Sequence, residues 1–284
     1  MNLYSIETGN FKLDGGAMFG VVPKALWEKT NPADSNNRIE MSARCLLIEN
    51  GNRLILVDAG LGNKQSEKFF SHYSRFGSAT LETSLKSVGF SADDVTDVLL
   101  THLHFDHCGG ATKREGDVIV PFFKNARFWC SKQHWNWANI NPNPREKASF
   151  LKENLFPLKE SGQLKLYDGV DDGFCEELGF DLLFVDGHTE KMALPKIKYK
   201  SHSILFTSDL VPTAGHIPIP YLMGYDVRPL TTMVEKSAIL KDCFENDSLL
   251  FLQHDPYNEL ISLKNTDKGI RMKNSSSLND FFSL

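Results

Sequence analysis

Ten residues, Thr-His-Leu-His-Phe-Asp-His-Cys-Gly-Gly at positions 101–110, bring His102, His104, Asp106 and His107 together. Three imidazoles and a carboxylate at this spacing suit the binding of zinc or a neighbouring first-row divalent ion. On an extended backbone residues two apart face the same way, so His102 and His104 are expected to project as a pair from one face. The apolar stretch Val98, Leu99 and Leu100 comes first, so Asp106 and His107 fall where a strand should end. Gly109 and Gly110 are expected to let the backbone turn sharply there. An ion held by such donors lowers the pKa of its bound water and polarises a carbonyl or phosphoryl oxygen.

The elements that must position these side chains recur along the chain. Residues 54–57 end at Asp58, residues 182–185 run into His188, residues 203–207 reach Asp209, and residues 249–252 reach His254. Short apolar runs closed by Gly, Asp or Pro read as buried strands, and repeated placement of His or Asp just past them suggests ligands gathered at one edge of packed sheets. Helices are expected over residues 80–88, 131–138 and 231–244, the last with Met233, Ala238, Leu240 and Cys243 as its apolar stripe. Ser91 with Asp93 and Asp94 reads as an N-cap and acidic first turn. Strands alternating with helices indicate an α/β protein. The Asn-Pro-Asn-Pro run at 141–144 reads as a surface excursion, and with no repeat or linker a single domain over residues 1–284 is expected.

Composition narrows the partners. With 31 basic and 36 acidic residues the net charge is −5, which argues against a nucleic-acid binder. No apolar run is long enough to span a bilayer, and the first ten residues lack the pattern of a secretory signal, so a cytoplasmic protein acting on a small molecule is expected. The five cysteines, Cys45, Cys108, Cys130, Cys175 and Cys243, show no paired spacing and predict no disulfide framework.

With His188, Asp209 and His254 added to the cluster, the sequence from about residue 45 to 255 resembles the dinuclear metallo-β-lactamase-fold hydrolase superfamily. Residues 15–23 (Gly-Gly-Ala-Met-Phe-Gly-Val-Val-Pro) and 208–212 (Ser-Asp-Leu-Val-Pro) look more particularly like the branch of N-acyl-homoserine-lactone lactonases and methyl-parathion-hydrolase-like enzymes. The resemblance implies a four-layer αββα sandwich with the metal site at one edge of its two sheets. It implies His102, His104 and His188 on one ion, Asp106, His107 and His254 on the other, Asp209 bridging, and Asp58 supporting the site from behind. Two divalent ions are implied, zinc first, with iron, manganese or cobalt also accepted by such donors. With neutral histidines, two ligand aspartates and a metal-bridging hydroxide, the centre keeps about one positive charge. Asp106 and Asp209 are the candidate catalytic carboxylates, Asp106 as a proton donor to the leaving group.

Several departures sort the branches. Asp209 stands where the best-known zinc β-lactamases place cysteine, and His104 where flavodiiron oxygen reductases place glutamate. About thirty residues follow His254, too few for the helical substrate domain of glyoxalase II. Only short spacing separates Asp209 from His254, which excludes the large insertion of the nucleic-acid-processing branch. Lactonases of this type often carry tyrosine three residues after the bridging aspartate; here that residue is Pro212. His216, Tyr221 and Tyr225 are candidates to replace it, and Met18 and Phe19 to join them as pocket wall, with ordinary core or dimer packing as the alternative. His72, His134 and His202 read as ordinary surface or core histidines, and Cys108 as a small apolar side chain. The expectation is a lactone- or carboxylic-ester-opening hydrolase. Phosphotriester or phosphodiester hydrolysis is the alternative and iron-based redox chemistry a more distant one. The segment before Cys45 is a candidate for homodimer formation.

Overall fold

The computed structural model describes residues 1–140, 142–169 and 174–283. They form two compact units, one of Met1–Asn10 with Ala43–Gly179 and the other of Phe11–Ser42 with Phe180–Leu284. No helix among the described residues is long and apolar enough to cross a membrane.

The first unit is built on a six-stranded sheet in the order Asn2–Asp14, Arg38–Asn50, Arg53–Val57, Asp97–Leu99, Arg127–Ser131 and Leu164–Tyr167. The first two strands run on into residues that belong to the second unit. Arg38–Asn50 and Arg53–Val57 form an antiparallel hairpin, whereas the last four strands pair in parallel. Parallel strands covered on both faces carry unbroken apolar runs, which is why Ile55, Leu56, Val57, Val98 and Leu99 are all fully buried. The helices Leu81–Ser87, Lys132–Asn139 and Lys152–Glu160 add Leu81, Leu85, Trp135, Ala138, Leu155 and Leu158 to this core. Two of these are helices expected from sequence, with Thr80 and Ser131 as side-chain N-caps. The third cap behaves differently. Ser91 donates from its backbone N and Oγ to Asp94, but the chain turns directly into the strand Asp97–Leu99 and no helix follows.

The second unit carries a six-stranded sheet in the order Gly269–Ser276, Leu260–Thr266, Leu249–Phe251, His202–Phe206, Met192–Tyr199 and Asp181–Val185. Only His202–Phe206 and Leu249–Phe251 are parallel. A parallel pair needs a crossover, and the helix Pro229–Glu245 lies in it. Both parallel strands point the same way, so the residues just past them, Asp209 and His254, emerge at one edge of this sheet. The crossover helix departs from its expected stripe: Thr232, Lys236, Leu240 and Cys243 are buried, while Ala238 is exposed. Spacings of four, four and three keep these on one helical face, so a lysine occupies a core position.

Candidate metal centre

In the first unit the site begins where two parallel strands end. Asp58 follows Arg53–Val57 in the left-handed region, φ 60°, fully buried. That conformation costs a non-glycine residue roughly 1–3 kcal/mol, and dense hydrogen bonding over-determines it. Its Oδ1 accepts from the Thr101 backbone N at 2.8 Å, and its Oδ2 from Thr101 Oγ1 at 2.8 Å. His107 Nδ1 lies 2.9 Å from the same Oδ2, which fixes that ring with Nε2 presented inward. Asp58 thus holds the His107 ring in place.

The strand itself stops at Leu99, so Thr101 to His104 lie in irregular backbone rather than on a strand face. His102 and His104 nevertheless converge, because Leu103 between them donates its backbone N–H to Nε2 of buried His134 at 2.9 Å. His102 Nδ1 contacts Thr101 Oγ1 at 3.1 Å and its Nε2 lies 3.1 Å from His104 Nδ1. The far side of His104, Nε2, lies 3.1 Å from Oε2 of Glu146, which is buried. The other oxygen of Glu146 accepts from Trp137 Nε1 and from Asn143 Nδ2. Asp106 and His107 sit on the short helix Phe105–Cys108, with Asp106 Oδ2 3.9 Å from His107 Nε2. Gly109 follows with ordinary helical φ of −59°, so it does not supply the sharp turn expected of it. Glycine is needed for close approach instead: a Cβ on Gly109 would meet Leu61 O at 2.0 Å, and one on Gly110 would meet Ala59 O at 2.1 Å. Buried Lys64 donates to the Gly109 and Thr112 carbonyls; burial lowers its pKa to about 8.

The second unit gathers His188, Asp209 and His254. Asp209 follows Ser208, which is left-handed at φ 43°. Its Oδ2 lies 3.1 Å from His188 Nε2 and its Oδ1 3.0 Å from His254 Nε2. Each ring is held from behind, His188 Nδ1 by Asp226 Oδ1 at 3.0 Å and His254 Nδ1 by the Ser42 carbonyl at 2.7 Å. Burial works against a charge on His188, but Asp209 and Asp226 outweigh it and raise its pKa to about 10. A buried ring gripped by two carboxylates marks a place where positive charge is favoured.

Both half-sets fit divalent ions. Their inward atoms are imidazole nitrogens and carboxylate oxygens, the outward nitrogens are engaged, and buried Asp58, Glu146 and Asp226 supply compensating negative charge. Asp226 and Glu146 escaped sequence reasoning because neither belongs to a local motif. Glu146 follows the run read as a surface excursion, whose first residue, Asn141, lies outside the described residues. His134, read as ordinary, supports the cluster, whereas His202 packs edge-on against Phe281.

The expected pocket residues divide. Met18, Phe19 and His216 are buried in the second unit, and the Phe19 ring stacks 4.2 Å from His216 and 5.2 Å from Trp27. His216 Nδ1 bonds Thr213 Oγ1 and Nε2 bonds the Met18 carbonyl, both at 2.8 Å, and burial pushes its pKa down to about 3. It clamps the segment around Met18 and has no ring nitrogen to spare for a substrate. Tyr221 is half-buried and Tyr225 exposed. A cavity of about 330 Å³ in the first unit is lined by Thr8, Arg75, Phe76, Gly110 and Phe122, among others, and contains none of the expected donors. Cys108 is buried, donates to the Leu103 carbonyl and has its pKa pushed up to about 12 by burial, so it packs as expected.

Comparison with known proteins gives these donors a context. The family model of the metallo-β-lactamase superfamily matches residues 39–254. An N-acyl homoserine lactonase of Bacillus cereus is 23% identical over 234 residues, covering 77% of this chain and 83% of its own. Among solved structures, a probable metal-dependent hydrolase from Staphylococcus aureus superposes with a TM-score of 0.84 at 27% identity, over 96% of this chain and 95% of that one. AidC, a dizinc quorum-quenching lactonase in complex with a homoserine product, gives a TM-score of 0.76 at 24% identity, over 98% and 95%. At that identity the likeness speaks to the fold.

Proposed function

The chain belongs to the metallo-β-lactamase superfamily and is a metal-dependent hydrolase of its α/β fold; from that premise we propose that it opens lactones or carboxylic esters. We propose further that residues 1–284 act as one hydrolase domain, a reading supported by a family match that runs through both units. In this reading His102, His104 and His188 would hold one ion and Asp106, His107 and His254 the other, with Asp209 available to both. The observation that carries this assignment is Asp209 itself: each of its oxygens faces a different histidine Nε2, at 3.1 and 3.0 Å. Two divalent ions, zinc first, would supply an activated water and polarise the carbonyl under attack.

The chain's own residues do the rest. Asp58, Glu146, Asp226 and the Ser42 carbonyl hold four imidazoles in the tautomers that ligate. The Asp106 side chain keeps some exposure, 13%, which suits a carboxylate that hands a proton to a leaving alkoxide. Asp106→Asn with near-normal turnover at unchanged metal content would remove it from that role. Tyr225, exposed beside Asp226, and half-buried Tyr221 are candidates in this loop to meet a substrate acyl group.

The test is elemental analysis of the purified protein together with a panel of homoserine lactones, simple lactones, aryl esters and phosphotriesters. About two ions per chain with chelator-sensitive opening of lactones or esters is expected. Preference for phosphotriesters would select the second reading, and a single iron without hydrolysis would overturn the assignment.

A further inference from the structure

Lys236 has no exposed surface, and its ammonium donates to three backbone carbonyls, those of His216 at 3.0 Å, Pro218 at 3.2 Å and Tyr221 at 2.7 Å. A lysine ammonium has three protons, so three acceptors saturate it. The carbonyls belong to residues 212–226, a loop containing Pro212, Pro218 and Pro220 and only one short helical turn, Ala214–His216. Carbonyls turned inward without a ladder need a donor, and one buried side chain reaches three of them, of which that of Pro218 also accepts a backbone N–H within the loop, from Tyr221 at 2.9 Å. Burial brings the Lys236 pKa down to about 7, with Asp226 opposing.

Both ends of this loop are tied to proposed ligands. His254 donates its backbone N–H to the Pro212 carbonyl at 3.1 Å, and the Asp255 carboxylate accepts from Ala214 N at 2.8 Å. At the other end Asp226 holds His188 Nδ1, and Val227 N bonds the His188 carbonyl at 3.2 Å. Movement of the loop's middle is therefore transmitted to the backbone of His254 and to Asp226 behind His188. We propose that Lys236 is a positioning and specificity-determining residue: a built-in cation around which the loop folds, holding Asp226 against His188 and presenting Tyr221 and Tyr225 to the acyl part of the substrate. Its substrate half rests on the lactone or ester reading above; its positioning half does not.

The test compares Lys236→Met and Lys236→Arg with the wild type by limited proteolysis, zinc affinity in chelator competition, and KM against kcat over lactones of increasing acyl length. For Lys236→Met we expect cleavage within residues 213–225, roughly tenfold weaker binding of one zinc ion, and a rise in KM larger than the fall in kcat. Lys236→Arg, too large for the three-carbonyl cage, is expected to share the proteolytic signature. Wild-type proteolysis, zinc affinity and KM in Lys236→Met would overturn the proposal. Should that variant not fold, hydrogen exchange on the wild type decides: amides of residues 213–226 are expected to exchange as slowly as those of the helix Pro229–Glu245, and fast exchange would refute the anchoring. If the wild type hydrolyses nothing on the panel, proteolysis and zinc affinity still judge Lys236, and the substrate reading alone falls.

Discussion

Glu146→Gln offers a sharp test of how the first-unit histidines are prepared for a metal. Glu146 faces three N–H donors: Oε1 accepts from Trp137 and Asn143, and Oε2 lies 3.1 Å from His104 Nε2. Glutamine has one accepting oxygen and one donating nitrogen. With its oxygen towards Trp137 and Asn143, the amide NH2 faces His104 and drives the ring proton onto Nδ1, the atom that must be free to ligate. With its oxygen towards His104, the NH2 opposes two donors. Either arrangement leaves at least one buried mismatch, worth about 1–3 kcal/mol, or a factor of about 5–150 in affinity. The variant is expected to lose that factor for the ion assigned to His102 and His104. The other ion, whose His107 is supported by Asp58, should change much less. Stepwise zinc titration of the metal-free protein against a chromophoric chelator measures both constants. Binding of both ions within twofold of wild type, or equal weakening of both at an unchanged melting temperature, would refute the tautomer argument.

Other expectations follow from the packing. Gly109→Ala places a Cβ 2.0 Å from the Leu61 carbonyl and should cost about 1–3 kcal/mol in thermal unfolding; Gly169→Ala, which meets nothing within 4 Å, is the control, and equal melting temperatures would contradict the close-approach argument. Thiol titration of the native protein should find Cys175 reactive first, since Cys45, Cys108, Cys130 and Cys243 are buried and burial raises their pKa values; rapid release of several equivalents would contradict it. Burial lowers the Lys64 pKa in the folded chain to about 8 from its ordinary 10.5, so between these pH values the unfolded chain binds more protons and the Lys64 contribution to stability rises with pH. Urea midpoints at either end of that window should therefore shift in favour of wild type over Lys64→Met as pH increases, and a flat difference would count against it.

The proposed ligands were legible because they are local or follow a repeated local pattern: four lie within six residues, and three more stand just past apolar runs. Their supports were not. Glu146 lies 42 positions from His104, Asp226 lies 38 from His188, and His134 lies 31 from Leu103. Such pairings depend on the path of the chain rather than on any spacing along it. Counting apolar residues also misread the crossover helix, placing Ala238 in the core, because a lysine whose ammonium is fully hydrogen-bonded can occupy a buried position that composition assigns to an apolar side chain. Gly109 and Gly110 were recognised as necessary for the wrong reason: neither adopts positive φ, and what excludes a side chain is the backbone of Ala59 and Leu61. The Pro-rich loop after Asp209 was read as pocket wall, yet His216 at its start spends both ring nitrogens on holding the fold.

The clasp between Ser42 and His254 has a consequence for the order in which the protein is made. His254 Nδ1 bonds the Ser42 carbonyl, and Ser42 N bonds the His254 carbonyl at 3.1 Å, across 212 positions. On the ribosome, every residue of the first unit has been synthesised by Gly179, whereas the second waits for its later segment before residues 11–42 find their partners. A nascent chain therefore exposes His102, His104, Asp106 and His107 to the cell's metal pool well before His254 exists, and loading of the proposed full set has to wait for the synthesis of His254.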